Sequence, residues 1–93
     1  MRASWDPRKA RANLAKHGVR FSDAEAVLFD PVAITREDRM ARGEQRFVTI
    51  GRDGVGRLLV VVYSYREDEV RLISARTATR NERRKYEEGI RLQ

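Results

Sequence analysis

The stretch Leu58–Tyr65, "L-L-V-V-V-Y-S-Y", decides how this chain folds. Its β-branched and aromatic residues favour extended backbone. It does not alternate, so apolar side chains fall on both faces of the strand. Such a strand belongs in the middle of a sheet that is covered on both sides. The flanking sequence supplies its neighbours. Gln45–Gly51 alternates and reaches it through the turn "G-R-D-G-V-G", and "R-E-D-E" leads on into Val70–Arg76, which alternates again. Val32–Thr35 is a fourth, short candidate strand. Arg36 to Glu44, "R-E-D-R-M-A-R-G-E", is charged without a period and reads as a mobile loop.

Helices are predicted outside this block. Asp6 can cap a helix that starts at Pro7, where the missing proline N–H costs nothing, and Gly18 can end it just after His17. Phe21-Ser22-x-x-Glu25 has the spacing of a capping box for a second helix to about Phe29, stopped by Asp30-Pro31. Thr79-x-x-Glu82 opens a polar C-terminal helix that fades at Gly89. The expected fold is therefore α+β, in a single domain over residues 1–93. It has two N-terminal helices, a four-stranded antiparallel meander and a C-terminal helix, with the first two helices on one sheet face.

Composition narrows the function classes. The chain is 41% hydrophobic and 37% charged, which suits one modest core rather than a disordered segment. No apolar run approaches the roughly 20 residues of a bilayer span, and the start of the chain lacks a signal-peptide core, so a cytoplasmic protein is expected. Without cysteine there is no disulfide framework or thiolate site, and a single histidine argues against catalytic zinc, so neither metal nor cofactor is expected. The net charge is +6, carried mainly by arginine. Such a surface fits nucleic acid or an acidic protein partner, although charge alone does not separate these from a merely solvated surface.

Several residues could carry chemistry. Lys9, Asn13 and Lys16 share one face of the first helix, beside His17. Arg46, Arg57 and Arg76 lie at strand ends, with Tyr63 available to stack on a base. Under strict alternation, Arg71, Ile73 and Ala75 share one face of the last strand, and Val70, Leu72, Ser74 and Arg76 share the other. RNA can be cut without metal when its 2′-hydroxyl attacks the adjacent phosphorus. That step needs a base, an acid and donors for the developing charge. Arg57 and Arg76 are candidates to hold the scissile phosphate, with His17, Glu44 or a tyrosine as base or acid. Structural roles compete. Arginines at strand ends blunt sheet edges, a histidine in the last helical turn suits the helix dipole, and Trp5 suits a core.

Taken together, the pieces resemble the BrnT family of toxins from bacterial type II toxin–antitoxin pairs. They are "W-D-P-R-K-A-R-A-N-L-A-K-H-G-V-R-F" from Trp5, "F-D-P" at Phe29–Pro31, "E-Q-R-F-V-T-I-G" from Glu44, "G-R-L-L-V-V-V-Y" from Gly56, "R-L-I-S-A-R-T-A-T" from Arg71, then Glu82 and Tyr86. The resemblance implies a RelE/ParE-like fold, a ribonuclease that halts translation, and a cognate antitoxin with a ribbon-helix-helix DNA-binding domain. It also implies that the complex represses its own promoter DNA. The family pattern falls on Trp5, Asp6, Lys9, Asn13, Lys16, His17, Gly18, Glu44, Arg46, Arg57, Arg76 and Tyr86. A metal-independent endoribonuclease is the leading expectation, with Arg57, Arg76, His17 and Glu44 as catalytic candidates. Lys9, Lys16, Arg46 and Tyr63 are expected to bind RNA. The competing readings are a non-enzymatic nucleic-acid-binding module and an inactive toxin kept as co-repressor.

Overall fold

A computed structural model describes residues 2–38 and 43–91. Strand β1 (Arg2–Ser4) leads into helix α1 (Pro7–His17), then a single helical turn α2 (Phe21–Ala24) that continues as a 3-10 helix over Glu25–Phe29. Four strands follow, β2 (Ile34–Asp38), β3 (Arg46–Arg52), β4 (Leu58–Arg66) and β5 (Glu69–Thr77), and then helix α3 (Arg80–Arg91). The sheet has five strands in the order β1-β5-β4-β3-β2. The apolar stretch Leu58–Tyr65 lies in β4, the central strand, with β5 on one side and β3 on the other.

The expected RelE/ParE-like layout, a four-stranded antiparallel meander behind two N-terminal helices, is corrected in two places. First, the sheet is five-stranded and mixed, because β1 pairs in parallel with β5 in the register Arg2↔Glu69 to Ser4↔Arg71. Three residues are too few to show a period. They are extended because α1 docks on β5 and lays the preceding segment along that strand's free backbone edge. Second, the predicted second helix is one turn followed by a 3-10 segment. Phe21, Ala24 and Val27 are all buried at intervals of three, which matches the 3-10 repeat rather than the α period. Ser22 makes no cap there, since Phe21 is already helical and the N-cap is Arg20.

The charged run Arg36 to Glu44 is also corrected in part. Arg36–Asp38 belong to β2 and pair with Arg46–Val48, a pairing set by the partner strand that no local period reveals. Residues 39–42 of that expected loop lie outside the described residues.

Two apolar layers sandwich the sheet. On one face Phe21, Ala24 and Val27 pack with Leu59, Val61, Tyr63, Leu72 and Ala75. On the other, Tyr86 of α3 packs with Ile50, Leu58 and Val60. Asp30 ties the layers together. Its carboxylate accepts hydrogen bonds from Val32 N–H (3.0 Å), Arg52 N–H (2.8 Å) and Tyr86 O–H (2.6 Å). Burial works to raise the Asp30 carboxyl, but these donors outweigh it and leave the group below its ordinary value. The two caps of α1 read from the sequence both form. Asp6 accepts from Arg8 N–H at 2.8 Å, and Gly18 adopts φ 69°, a left-handed conformation that glycine takes without strain. Thr79 and Glu82 exchange hydrogen bonds of 2.8 and 3.2 Å.

A candidate nucleic-acid interface

The side chains on the α3 side of the sheet form cross-strand rows. One row runs Arg76, Val60, Ile50, Ile34, and lies beneath α3. The next runs Ser74, Val62, Val48, Arg36. Beyond it, Arg71 faces Ser64, and Arg46 faces Asp38. Because Tyr63 pairs with Phe47, the following position brings Ser64 beside Arg46, so these residues complete a third row. Arg36, Arg46, Arg71 and Arg76 therefore share one face.

Strict alternation misplaced Arg71. The register of β5 against β4 shifts between Val62 and Tyr63, where Ser74 is the partner of one and Leu72 of the other. Ile73 is the extra residue of this bulge, and it rotates everything before it by one face. Val70 and Leu72 turn into the core with Ala75, while Arg71 joins Ser74 and Arg76.

Helix α1 borders this face. Asn13 is buried, and its amide holds the backbone of β5 at Ala75 through bonds of 2.8 and 3.0 Å. Fixed in that way, α1 presents Lys9, Lys16 and His17 along a groove of about 290 Å³ whose other wall is Ile73 and Ser74 of β5. Ser74 belongs to the second row, so the helical cations line the edge of the arginine-bearing face.

Two of the sequence candidates are held firmly. Arg76 forks onto both oxygens of Glu82, at 2.7 and 2.9 Å. The Arg76 hydrogen bonds hold the Glu82 carboxyl down at about 2, and Glu82 in turn raises Arg76 above its ordinary value. Arg57 bonds Asp53 through Nε at 2.8 Å and reaches Asp23 of α2 at 3.4 Å. Burial works to raise the Asp53 carboxyl, yet hydrogen bonds from the Arg57 side chain and backbone leave it below its ordinary value. Arg57 thus leans toward α2 and Arg76 toward α3. They sit at one end of the sheet but on opposite sides of it, and the structure does not bring them together on one phosphate.

The remaining candidates divide in the same way. Tyr63 is buried, its hydroxyl 2.8 Å from Thr49 Oγ1, which meets Thr35 Oγ1 at 2.8 Å. Its ring packs against Phe47 and Tyr65 on the α2 side. Tyr65, 53% exposed, is the accessible ring of that trio. Glu44 is exposed, two residues before Arg46 at the entry to β3. Many residues of the family pattern have a structural duty: Trp5 packs edge-on to Phe21, Asp6 caps, Asn13 clamps, Gly18 turns and Tyr86 bonds Asp30. Lys9, Lys16, His17, Glu44 and Arg46 have no such duty, and four of them border or occupy the α3 face. Sequence reasoning missed Arg71 and Ser64, for which the only signal was a bulge invisible to periodicity. Among the described residues, no three His, Asp or Glu side chains converge as metal ligands.

Fold and face together define a small α+β domain with an arginine-bearing sheet face bordered by a basic helix. The chain belongs to the BrnT family: the family model described as "Ribonuclease toxin, BrnT, of type II toxin-antitoxin system" matches residues 5–82. In structure it is similar to the crystal structure of the Brucella abortus ribonuclease toxin BrnT, at 26% identity and a TM-score of 0.67, over 86% of this chain and 99% of that one. A comparison with curated proteins found no match. Membership of a type II toxin family implies a cognate antitoxin as partner. Among the described residues, no helix is long and apolar enough to cross a membrane.

Proposed function

We propose that this chain is an endoribonuclease toxin that cuts RNA without a metal ion and so inhibits translation. The observation that carries this reading, beside the family, is the alignment of Arg36, Arg46, Arg71 and Arg76 on one sheet face next to Lys9, Lys16 and His17. RNA lying across the rows would meet arginine forks suited to phosphate oxygens. In the cleavage step the 2′-oxygen bonds to phosphorus and the bond from phosphorus to the 5′-oxygen breaks, leaving a cyclic phosphate. A base takes the 2′-hydroxyl proton, and an acid returns a proton to the departing 5′-oxygen. Arg76, oriented by Glu82, stabilises the charge that develops on the phosphorane oxygens. His17 and Glu44 are the groups we assign to the two proton transfers, without dividing the roles between them.

The cognate antitoxin, in this reading, carries a ribbon-helix-helix domain and lays an acidic or amphipathic segment over the +6 toxin, blocking RNA and taking the pair to promoter DNA. The test is expression of the toxin alone and with its neighbouring gene, followed by growth and RNA integrity, with purified protein assayed in excess EDTA. Growth arrest, RNA cleavage that survives chelation, and rescue through a stable complex are expected. Cleavage lost in EDTA and restored by magnesium would overturn the metal-free step, and intact RNA in arrested cells would overturn the ribonuclease reading itself.

A further inference from the structure

Among the described residues, two buried side-chain polar atoms lack a hydrogen-bond partner: Arg46 Nε and Ser64 Oγ. They belong to different strands yet occupy neighbouring positions in the third row of the α3 face. Ser64 is 0% exposed, so water does not satisfy its hydroxyl from outside. Each such group costs stability, and alanine at position 64 would avoid one of them. Unsatisfied buried groups of this kind are uncommon and call for a reason. Arg71, part-buried, stands directly across from Ser64, and it is there only because the Ile73 bulge re-aims it. Neither Arg46 nor Arg71 forms an ion pair with any other described residue.

Two unpaired donors beside a second guanidinium lack one thing, an anionic acceptor. We infer that Arg46, Ser64 and Arg71 form a subsite for a phosphodiester group of RNA, separate from the one at Arg76. The inference rests on the ribonuclease reading and adds to it the position of a second phosphate. Arg71 and Arg76 lie two rows apart, opposite Ser64 and Val60 of β4, which is roughly 14 Å at 3.4 Å per residue. The second subsite therefore holds a phosphate away from the bond that is cut. It binds the substrate in the ground state and the transition state alike, so it acts on KM rather than kcat. Because Arg46 Nε and Ser64 Oγ are enclosed in the free protein, the Arg46 side chain changes rotamer when RNA binds.

The test uses the purified chain, Ser64→Ala and Arg71→Gln, with a single-stranded RNA oligonucleotide and a minimal dinucleotide as substrates. For the oligonucleotide, KM should rise about tenfold in each variant, the effect of one charge-assisted hydrogen bond, with kcat little changed. The dinucleotide, too short to reach the subsite, should be cut equally by all three proteins. Ser64→Ala should melt no lower than wild type, because it removes an unsatisfied hydroxyl. Unchanged KM in a folded Ser64→Ala protein overturns the subsite while the ribonuclease reading stands. Equal losses on both substrates also overturn it, since that pattern belongs to a catalytic or structural role. A wild-type protein that cuts neither substrate overturns both readings. If Arg71→Gln fails to fold, Ser64→Ala alone decides.

Discussion

Replacing Asn13 by alanine would remove the amide that fastens α1 to β5. Its Nδ2 donates to Val19 O at 3.0 Å and Ala75 O at 2.8 Å, while Oδ1 accepts from Ala75 N–H at 3.0 Å. The residue is 6% exposed, so the groups left behind would be buried. A typical hydrogen bond contributes about 1 kcal/mol net, and an unpaired buried partner adds about 1–3 kcal/mol. With three bonds lost and water reaching some of the stranded groups, the expected cost is about 4 kcal/mol. Against the roughly 5–14 kcal/mol that a chain of this size has in total, that is a large share. It corresponds to a fall in melting temperature of about 20 °C. Urea unfolding monitored by circular dichroism measures it, with an unchanged slope to show that the same cooperative transition is being compared. Lys16→Ala, an exposed change on the same helix, is the control and should stay within about 0.5 kcal/mol of wild type. A loss below about 1 kcal/mol for Asn13→Ala would refute the clamp, because the stranded groups would then have found other partners.

Three further outcomes are expected. Glu82, held at about 2 in the folded protein, contributes stability that is present above its ordinary 4.5 and is lost as pH falls toward 2. Since the Arg76 side chain is 40% exposed, screening reduces the loss to about 2 kcal/mol. Urea titrations at the two ends of that window should show it in wild type, and a Glu82→Gln protein should show a flatter profile. Gly51→Ala would set a methyl group 3.0 Å from Val27 Cγ1 and 3.2 Å from Asp30 Oδ2, so thermal melting should report a loss of about 1–3 kcal/mol from overpacking. Arg57→Ala should destabilise by about 2 kcal/mol by stripping Asp53 of its side-chain partner. The folded protein should keep its specific ribonuclease activity. Selective loss of that activity at full stability would return Arg57 to the reacting phosphate.

The elements readable in advance were those whose instructions are local. Leu58–Tyr65 carries apolar groups on both sides and could only be a covered strand. Asp6-Pro7 and Gly18 bracket α1 at its observed ends, and Thr79 with Glu82 starts α3, because each cap acts within a few residues of its own backbone. The cationic character of the face was likewise present in composition, as was the grouping of Lys9, Lys16 and His17 on one helix. What the chain neighbours cannot encode is the position of a partner strand. β1 is extended because β5 offers an open edge, and Arg36–Asp38 are a strand because β3 pairs with them. Arg57 and Arg76 part company because each finds its carboxylate in a different layer, Asp23 below the sheet and Glu82 above it. Above all, a single extra residue at Ile73 reverses the alternation of β5 and brings Arg71 round to Arg76, Ser64 and Arg46. A strand's period is a property of its own sequence, whereas its register is settled by hydrogen bonding to the strand beside it, and at this face the register decides which charges meet.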